Sequence, residues 1–192
     1  DWQENETPDG IPNVSVDFRQ AGALAAQHLL ALGHRRLAVI VDEPMQILRL
    51  EGFRAIVQDA GITLSSEYVQ QGNSTIESSY TATKILLRLT PRPTAIFATT
   101  DWMALGAMRA VFEAGLHVPN DISVVGLDDI VVSAHVSPAL TTVAIPKEQL
   151  ATAAMEILLS QMAGQNDTPA SVVVPPHLVV RQSTAPVPIS PW

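Results

Sequence analysis

The side chains able to do chemistry in this 192-residue chain are few, and their spacing says more than their number. Without cysteine, thiolate metal sites, disulfides and cysteine nucleophiles are excluded. The five histidines (His28, His34, His117, His135, His177) are scattered, with no pair at metal-ligand spacing. Neither a glycine-rich phosphate loop nor a nucleophile elbow is present. Catalysis is therefore not expected, nor any cofactor or metal. More telling are polar residues that follow apolar runs. Thr99, Thr100 and Asp101 directly follow TAIFA, and Asp128 and Asp129 follow VVGL. Hydroxyls and carboxylates placed there can bind a sugar or a base through directed hydrogen bonds. The same residue types also cap helices, a use compatible with binding, and adjacent carboxylates in a turn are commonly just solvated. Arg49 stands at the start of a helical stretch, where the helix field disfavours a cation. Either a nearby acid, Asp42 or Glu43, holds it at the surface, or its guanidinium enters a cleft and offers several directed hydrogen bonds to a hydroxyl or carboxylate ligand.

The elements that must position these groups are legible from period. Short β-branched runs alternate with helical stretches at the spacing of βαβ units. Strands are expected at residues 14–16, 37–41, 68–71, 94–98 and 121–126. Helices are expected at 20–32, 48–60, 76–89 and 101–114, with Gly33, Gly61 and Gly115 as stops. The runs around Ile40, Ile96 and Val124 are apolar on every residue, as in parallel strands buried on both faces. The expected fold is thus α/β, a doubly wound parallel sheet with helices on both faces, whose ligands bind at loops leaving the carboxyl ends of strands. After residue 133 the pattern changes to a strand at 140–145, a helix at 147–162 and strands at 171–174 and 178–181, where the chain leaves one sheet for another. The tail, 185–192, holds three prolines and no heptad repeat.

Bulk properties narrow the function. With 47% hydrophobic and 16% charged residues the chain is long enough to bury a real core. A formal charge of -8 is wrong for a surface that neutralises phosphates, so no nucleic-acid binding by this segment is expected. No apolar run reaches the roughly 18 residues of a membrane span, and the acidic, polar residues 1–10 are unlike a signal peptide. The expectation is a soluble protein with no membrane association.

Taken together, ordered segments carry a resemblance. VDFRQAGALAAQHLLALGHRRLAVI, RLEGF at 49–53, PTAIFATTDWMALGAMRA at 93–110, GLHVPNDISVVGLDDI at 115–130 and SPALTTVAIP at 137–146 resemble the lactose/galactose-repressor (LacI/GalR) family over residues 14–183. The resemblance implies a type I periplasmic-binding-protein-like core, mainly the C-terminal lobe with part of the N-terminal lobe. Residues 1–13 would be a remnant of the N-terminal lobe, 14–144 the C-terminal lobe, 145–176 a return segment to the N-terminal lobe, 177–184 a closing strand and 185–192 a tail. It also implies a cytoplasmic transcription regulator, most simply a repressor, that responds to a sugar or related metabolite held between the lobes. Operator DNA would be met only through a helix-turn-helix domain that this chain lacks, together with the hinge and most of the first lobe. The alternative is a periplasmic-type sugar-binding receptor of the same fold.

Carried over residue by residue, the resemblance assigns Arg49 to the effector-contacting arginine of the RLxGF motif and Asp128 to the aspartate after the VVGx strand. Thr100 with Asp101 matches the ND-type pair, and Asp17 the VDN motif, although Phe18 replaces its asparagine. Ser74 falls at an effector position where several members carry a stacking aromatic, so stacking from that position is not expected. The segment between Ile40 and Arg49 is shorter than the family's usual loop. The helix containing Trp102, Met103, Leu105, Met108 and Phe112 is apolar nearly all round. In the family this lobe helps to form a dimer, so these residues are expected at a homodimer interface; a helix sandwiched in its own core is the alternative.

Overall fold

Side-chain alternation along three central strands builds two cores at once. Leu37, Val39 and Val41, with Ala95, Phe97, Val125, Leu127 and Val143, pack into one buried cluster, whereas Ala38, Ile40, Ile96, Ala98 and Val124 pack into the other. A strand that is apolar at every residue is what two covered faces require. The computed structural model describes residues 11–44, 46–164 and 171–187; the polar start at 1–10, the middle of the expected return segment at 165–170 and the end of the tail at 188–192 lie outside the described residues.

In chain order the elements are β1 (Asn13–Val16), α1 (Phe18–Ala31), β2 (Leu37–Val41), α2 (Ile47–Asp59), β3 (Val69–Gln71), α3 (Ile76–Leu86), β4 (Ala95–Ala98) and α4 (Asp101–Glu113). They continue with β5 (Ser123–Asp128), β6 (Thr141–Ala144), α5 (Lys147–Met162), β7 (Ser171–Val174) and β8 (His177–Val179). The main sheet has six strands in the order β3-β2-β4-β5-β6-β8. Helices α1 and α2 cover the face of the first cluster, and α3 and α4 the other. The chain enters at β2, winds outward to β3, then returns to β4 on the other side, so the strand order reverses between β2 and β4. The crevice at their carboxyl ends is the topological switch point where such sheets bind ligands.

One feature departs from an all-parallel sheet: β8 runs antiparallel to β6, with Ala144 opposite His177. The reason is where the chain crosses. It leaves the main sheet at the carboxyl end of β6, forms α5 and β7, and re-enters through Pro175 and Pro176 at that same end. A strand entering there must run antiparallel. Strand β1 lies outside the main sheet and pairs with β7 in a separate two-stranded parallel sheet, against which α5 packs. Thus three passages, after β1, after β6 and before β8, gather at the edge that carries the switch point. No helix among the described residues is long and apolar enough to cross a membrane.

Candidate functional site at the carboxyl ends of the strands

Arg49 sits in the first turn of α2, only 4% exposed. A buried cation at a helix start opposes both the helix field and desolvation, and burial indeed lowers its pKa, with Asp128 opposing that shift. What holds it comes from other elements. Nη1 donates to the carbonyl oxygen of Thr99 at 2.5 Å, and the guanidinium lies over the Phe18 ring, 4.5 Å from its centroid. Oδ1 of Asp128 lies 4.0 Å from Nη1, longer than a hydrogen bond. Neither Asp42 nor Glu43 is the partner that local sequence offered.

Asp128 closes β5, and its carboxyl is pushed up to about 6, first by burial, with Arg49 pulling the other way and the neighbouring Asp101 adding to the rise. Its backbone is in the left-handed region, φ 121°, as is that of Asp129, φ 49°. Such conformations cost non-glycine residues on the order of 1–3 kcal/mol each, so something must hold them. Lys147, the first residue of α5, donates from Nζ to the carbonyls of Asp128 at 2.8 Å and Asp129 at 3.3 Å. Arg181 grips the same turn, donating from Nη2 to Oδ1 of Asp129 at 2.6 Å and from Nη1 to the Leu140 carbonyl at 2.8 Å. Both cations reach the turn from chain that has crossed to or from the small sheet.

Ser74 also belongs to this edge. Its hydroxyl donates to Oδ2 of Asp42 at 2.7 Å and accepts from Nε2 of Gln46 at 2.8 Å, while Oε1 of Gln46 accepts a short hydrogen bond from the Thr99 hydroxyl. The loops after β2, β3 and β4 are thereby joined. Gln46, Lys147 and Arg181 were not singled out from the sequence. Gln46 stands at the N-cap of α2, a place glutamine does not favour, which is the one local signal it carried.

The remaining expected residues divide. Thr100 is the N-cap of α4, its hydroxyl accepting from the Met103 amide at 3.2 Å, and Asp17 is the N-cap of α1, accepting from the Gln20 amide at 2.8 Å. Asp101, expected at a ligand, is instead sealed in. It is 0% exposed, and its carboxylate accepts from the Ile130 amide at 2.9 Å, the Ser133 hydroxyl at 2.6 Å and the Thr142 hydroxyl at 2.6 Å. Gly126 makes the room, since a Cβ there would lie 2.2 Å from Oδ1 of Asp101. Its work is to tie α4 to the turn after β5.

On α4 the apolar residues split in the same way. Met103 is fully buried in the second core cluster, which corrects its expected place at an interface. It faces the sheet, where a Cβ on Gly72 would meet its Sδ at 2.3 Å. Trp102 and Phe112 are exposed, at 46% and 78%. Leu105 and Met108 are half-buried and line a cavity of about 660 Å³ with Phe112, Val118, Val136 and Pro138.

Comparison with known proteins places this geometry in a class. The family described as periplasmic binding protein-like domain matches residues 26–184. The HTH-type transcriptional repressor PurR of Yersinia enterocolitica is 40% identical over 169 residues, covering 86% of this chain and 50% of that protein. Among solved structures, the complex of transcriptional regulator CelR with cellobiose superposes with a TM-score of 0.85 at 33% identity, over 93% of this chain and 56% of that one. A LacI family transcriptional regulator from Enterococcus faecium with bound ribose gives a TM-score of 0.85 at 30% identity, over 94% of this chain and 68% of that one. The chain belongs to the periplasmic-binding-protein-like domain family, in the form carried by LacI-type transcriptional regulators. It spans 50% to 55% of the length of the PurR relatives it matches.

Proposed function

We propose that this chain is the effector-sensing core of a LacI-type transcriptional repressor, and that its small-molecule ligand binds at the β2/β4 switch point between Arg49 and Asp128. The observation that carries the reading is a buried guanidinium stacked on Phe18 with the Asp128 carboxylate 4.0 Å away, beside a strained turn pinned from two sides. A ligand with several hydroxyls would donate to Asp128 and accept from Arg49, so a sugar or related metabolite fits; Ser74 and Thr100 flank the same edge. Asp17 would contribute only by holding the start of α1. Binding, not catalysis, is the activity. The relatives are regulators, which favours this reading over a periplasmic-type receptor.

Regulation then follows from linkage. A ligand shifts an equilibrium between two arrangements of the lobes only by its difference in affinity for them, and operator affinity changes by the coupled amount. Residues 14–144 would supply the main lobe, and 1–13 with 145–176 a share of the other, with 177–184 as the closing strand. The pairing of β1 with β7 supports placing that boundary nearer the end of β1 than residue 13. Operator contact is assigned to a helix-turn-helix domain outside these 192 residues, consistent with a charge of -8, and the setting is cytoplasmic. The exposed Phe112 and the cavity beside it would form a two-fold, self-complementary homodimer contact, Phe112 of each copy filling the partner's cavity. F112D should sediment as a monomer at concentrations where the wild type is dimeric; an unchanged sedimentation coefficient would remove α4 from the interface.

The test of the reading is a calorimetric screen of the purified protein against monosaccharides, disaccharides and nucleobases. Saturable binding by at least one is expected, lost in R49A. Binding that R49A retains would move the site elsewhere.

A further inference from the structure

Helices α1 and α2 approach more closely than side chains ordinarily permit, because each turns a glycine to the other's backbone. A Cβ on Gly22 would lie 1.9 Å from the carbonyl oxygen of Arg49, and one on Gly52 would lie 1.9 Å from that of Arg19. The crossing sets the first turns of the two helices side by side, with Phe18 opening α1 and Arg49 in the first turn of α2. On one side the guanidinium carbon is 4.5 Å from the centroid of the Phe18 ring; at its edge Nη1 donates to the Thr99 carbonyl at 2.5 Å. Attraction between a cation and the face of an aromatic ring grows as water is removed, and Arg49 is only 4% exposed.

We infer that Phe18 is a positioning residue of the ligand site: its ring face fixes the plane of the Arg49 guanidinium and closes that side of the site to water and to polar ligand groups. The inference rests on the effector-site reading given above. Through Phe18 the chain meets this arginine with an aromatic surface. A ligand must then address Arg49 in the guanidinium plane, as a carboxylate or a pair of neighbouring hydroxyl oxygens does. The glycine pair is part of the device, because without it the ring and the cation would stand a side chain apart.

Phenylglyoxal modification of Arg49 in the purified protein, followed by peptide mass spectrometry, tests this without a known ligand. Wild type, F18A, F18L and F18Y are compared, with the exposed Arg109 as the internal reference. Arg49 should be modified roughly tenfold faster in F18A and F18L, and at the wild-type rate in F18Y, which restores the ring face. If F18A does not fold, F18L against F18Y still decides. A wild-type rate in F18L would overturn the inference, because leucine keeps the apolar volume without the ring. With a ligand found in the calorimetric screen, F18L should lose roughly tenfold in affinity and F18Y should not; equal loss in both would also overturn it. The two readings fail separately: a wild type that binds nothing in the screen defeats the effector site, whereas Arg49 reactivity alone decides whether Phe18 holds the guanidinium.

Discussion

The two ends of the main sheet treat polar groups in opposite ways. At the amino ends His34 is 2% exposed and fully engaged: Nδ1 pairs with the Thr94 hydroxyl at 3.0 Å, and Nε2 lies 3.1 Å from both the Ser123 hydroxyl and the Ala185 carbonyl. The tight turn beside it is taken by Gly33 at φ 86°, which has no Cβ to strain. At the carboxyl ends the left-handed positions fall on Asn73, Ser74, Asp128 and Asp129, and a buried guanidinium and a half-buried carboxylate lie 4.0 Å apart. Buried polar groups that serve the fold are satisfied from within and sit on relaxed backbone. Those we propose to meet a ligand are held by others, on or beside strained backbone. The contrast separates structural from functional polarity without appeal to residue type.

Asp101 lies at the carboxyl ends yet behaves like His34, and it offers the sharpest way to break the comparison. D101A strips one acceptor from three donors at once, so it should cost roughly 3 kcal/mol or more in urea unfolding. A loss below about 1 kcal/mol would mean that Asp101 is not the structural knot described above. Asp128 should do the reverse. A carboxyl displaced from 3.8 to about 6 opposes folding by on the order of 2–3 kcal/mol at neutral pH. The folded state holds its proton longer than the unfolded chain, so this contribution to stability is full below pH 3.8 and is lost as the pH rises through about 6. D128N should therefore raise stability at pH 7 by about 1–2 kcal/mol while weakening ligand binding at least tenfold. In the wild type, binding should strengthen as the pH rises through about 6, because the ligand's hydroxyls donate to the ionised carboxylate. The amino end has the opposite sign. Burial lowers the pKa of His34, so the unfolded chain takes up its proton first and stability falls as the pH drops below 6.5. A urea-unfolding series across pH 4 to 8 on wild type and D128N reads both slopes; an unchanged slope in D128N would deny Asp128 its burial.

Most of the fold was legible because it is written locally. Period and apolar runs located β2, α5 and β7 at the observed bounds, and the other elements with ends shifted by up to three residues. The antiparallel run of β8 was not legible, since it depends on the edge at which the chain re-enters the sheet. Arg49 was visible as a local anomaly, a cation at the wrong end of a helix. Its holders were not, because Phe18 and Thr99 come from other parts of the chain. Asp101 reads in sequence like Thr100 and Asp128, a polar residue after a strand. Gly126, Ile130, Ser133 and Thr142, 25 to 41 residues on, turn its carboxylate inward. Met103 differs from Trp102 by one step of helical rotation, too fine a distinction for a helix apolar on nearly every side.

The central claim is that ligand affinity resides at the carboxyl ends and stability alone at the amino ends. Calorimetric titration of wild type, R49K and S123A with a ligand from the screen tests it most directly. Lysine keeps the charge of Arg49 but not its planar fork, so R49K should lose at least about a hundredfold in affinity. S123A removes a buried hydroxyl that meets His34 and Ala185, so it should lose about 1–2 kcal/mol of stability and bind as the wild type does. Wild-type affinity in R49K, or a comparable loss of affinity in a folded S123A, would contradict the account.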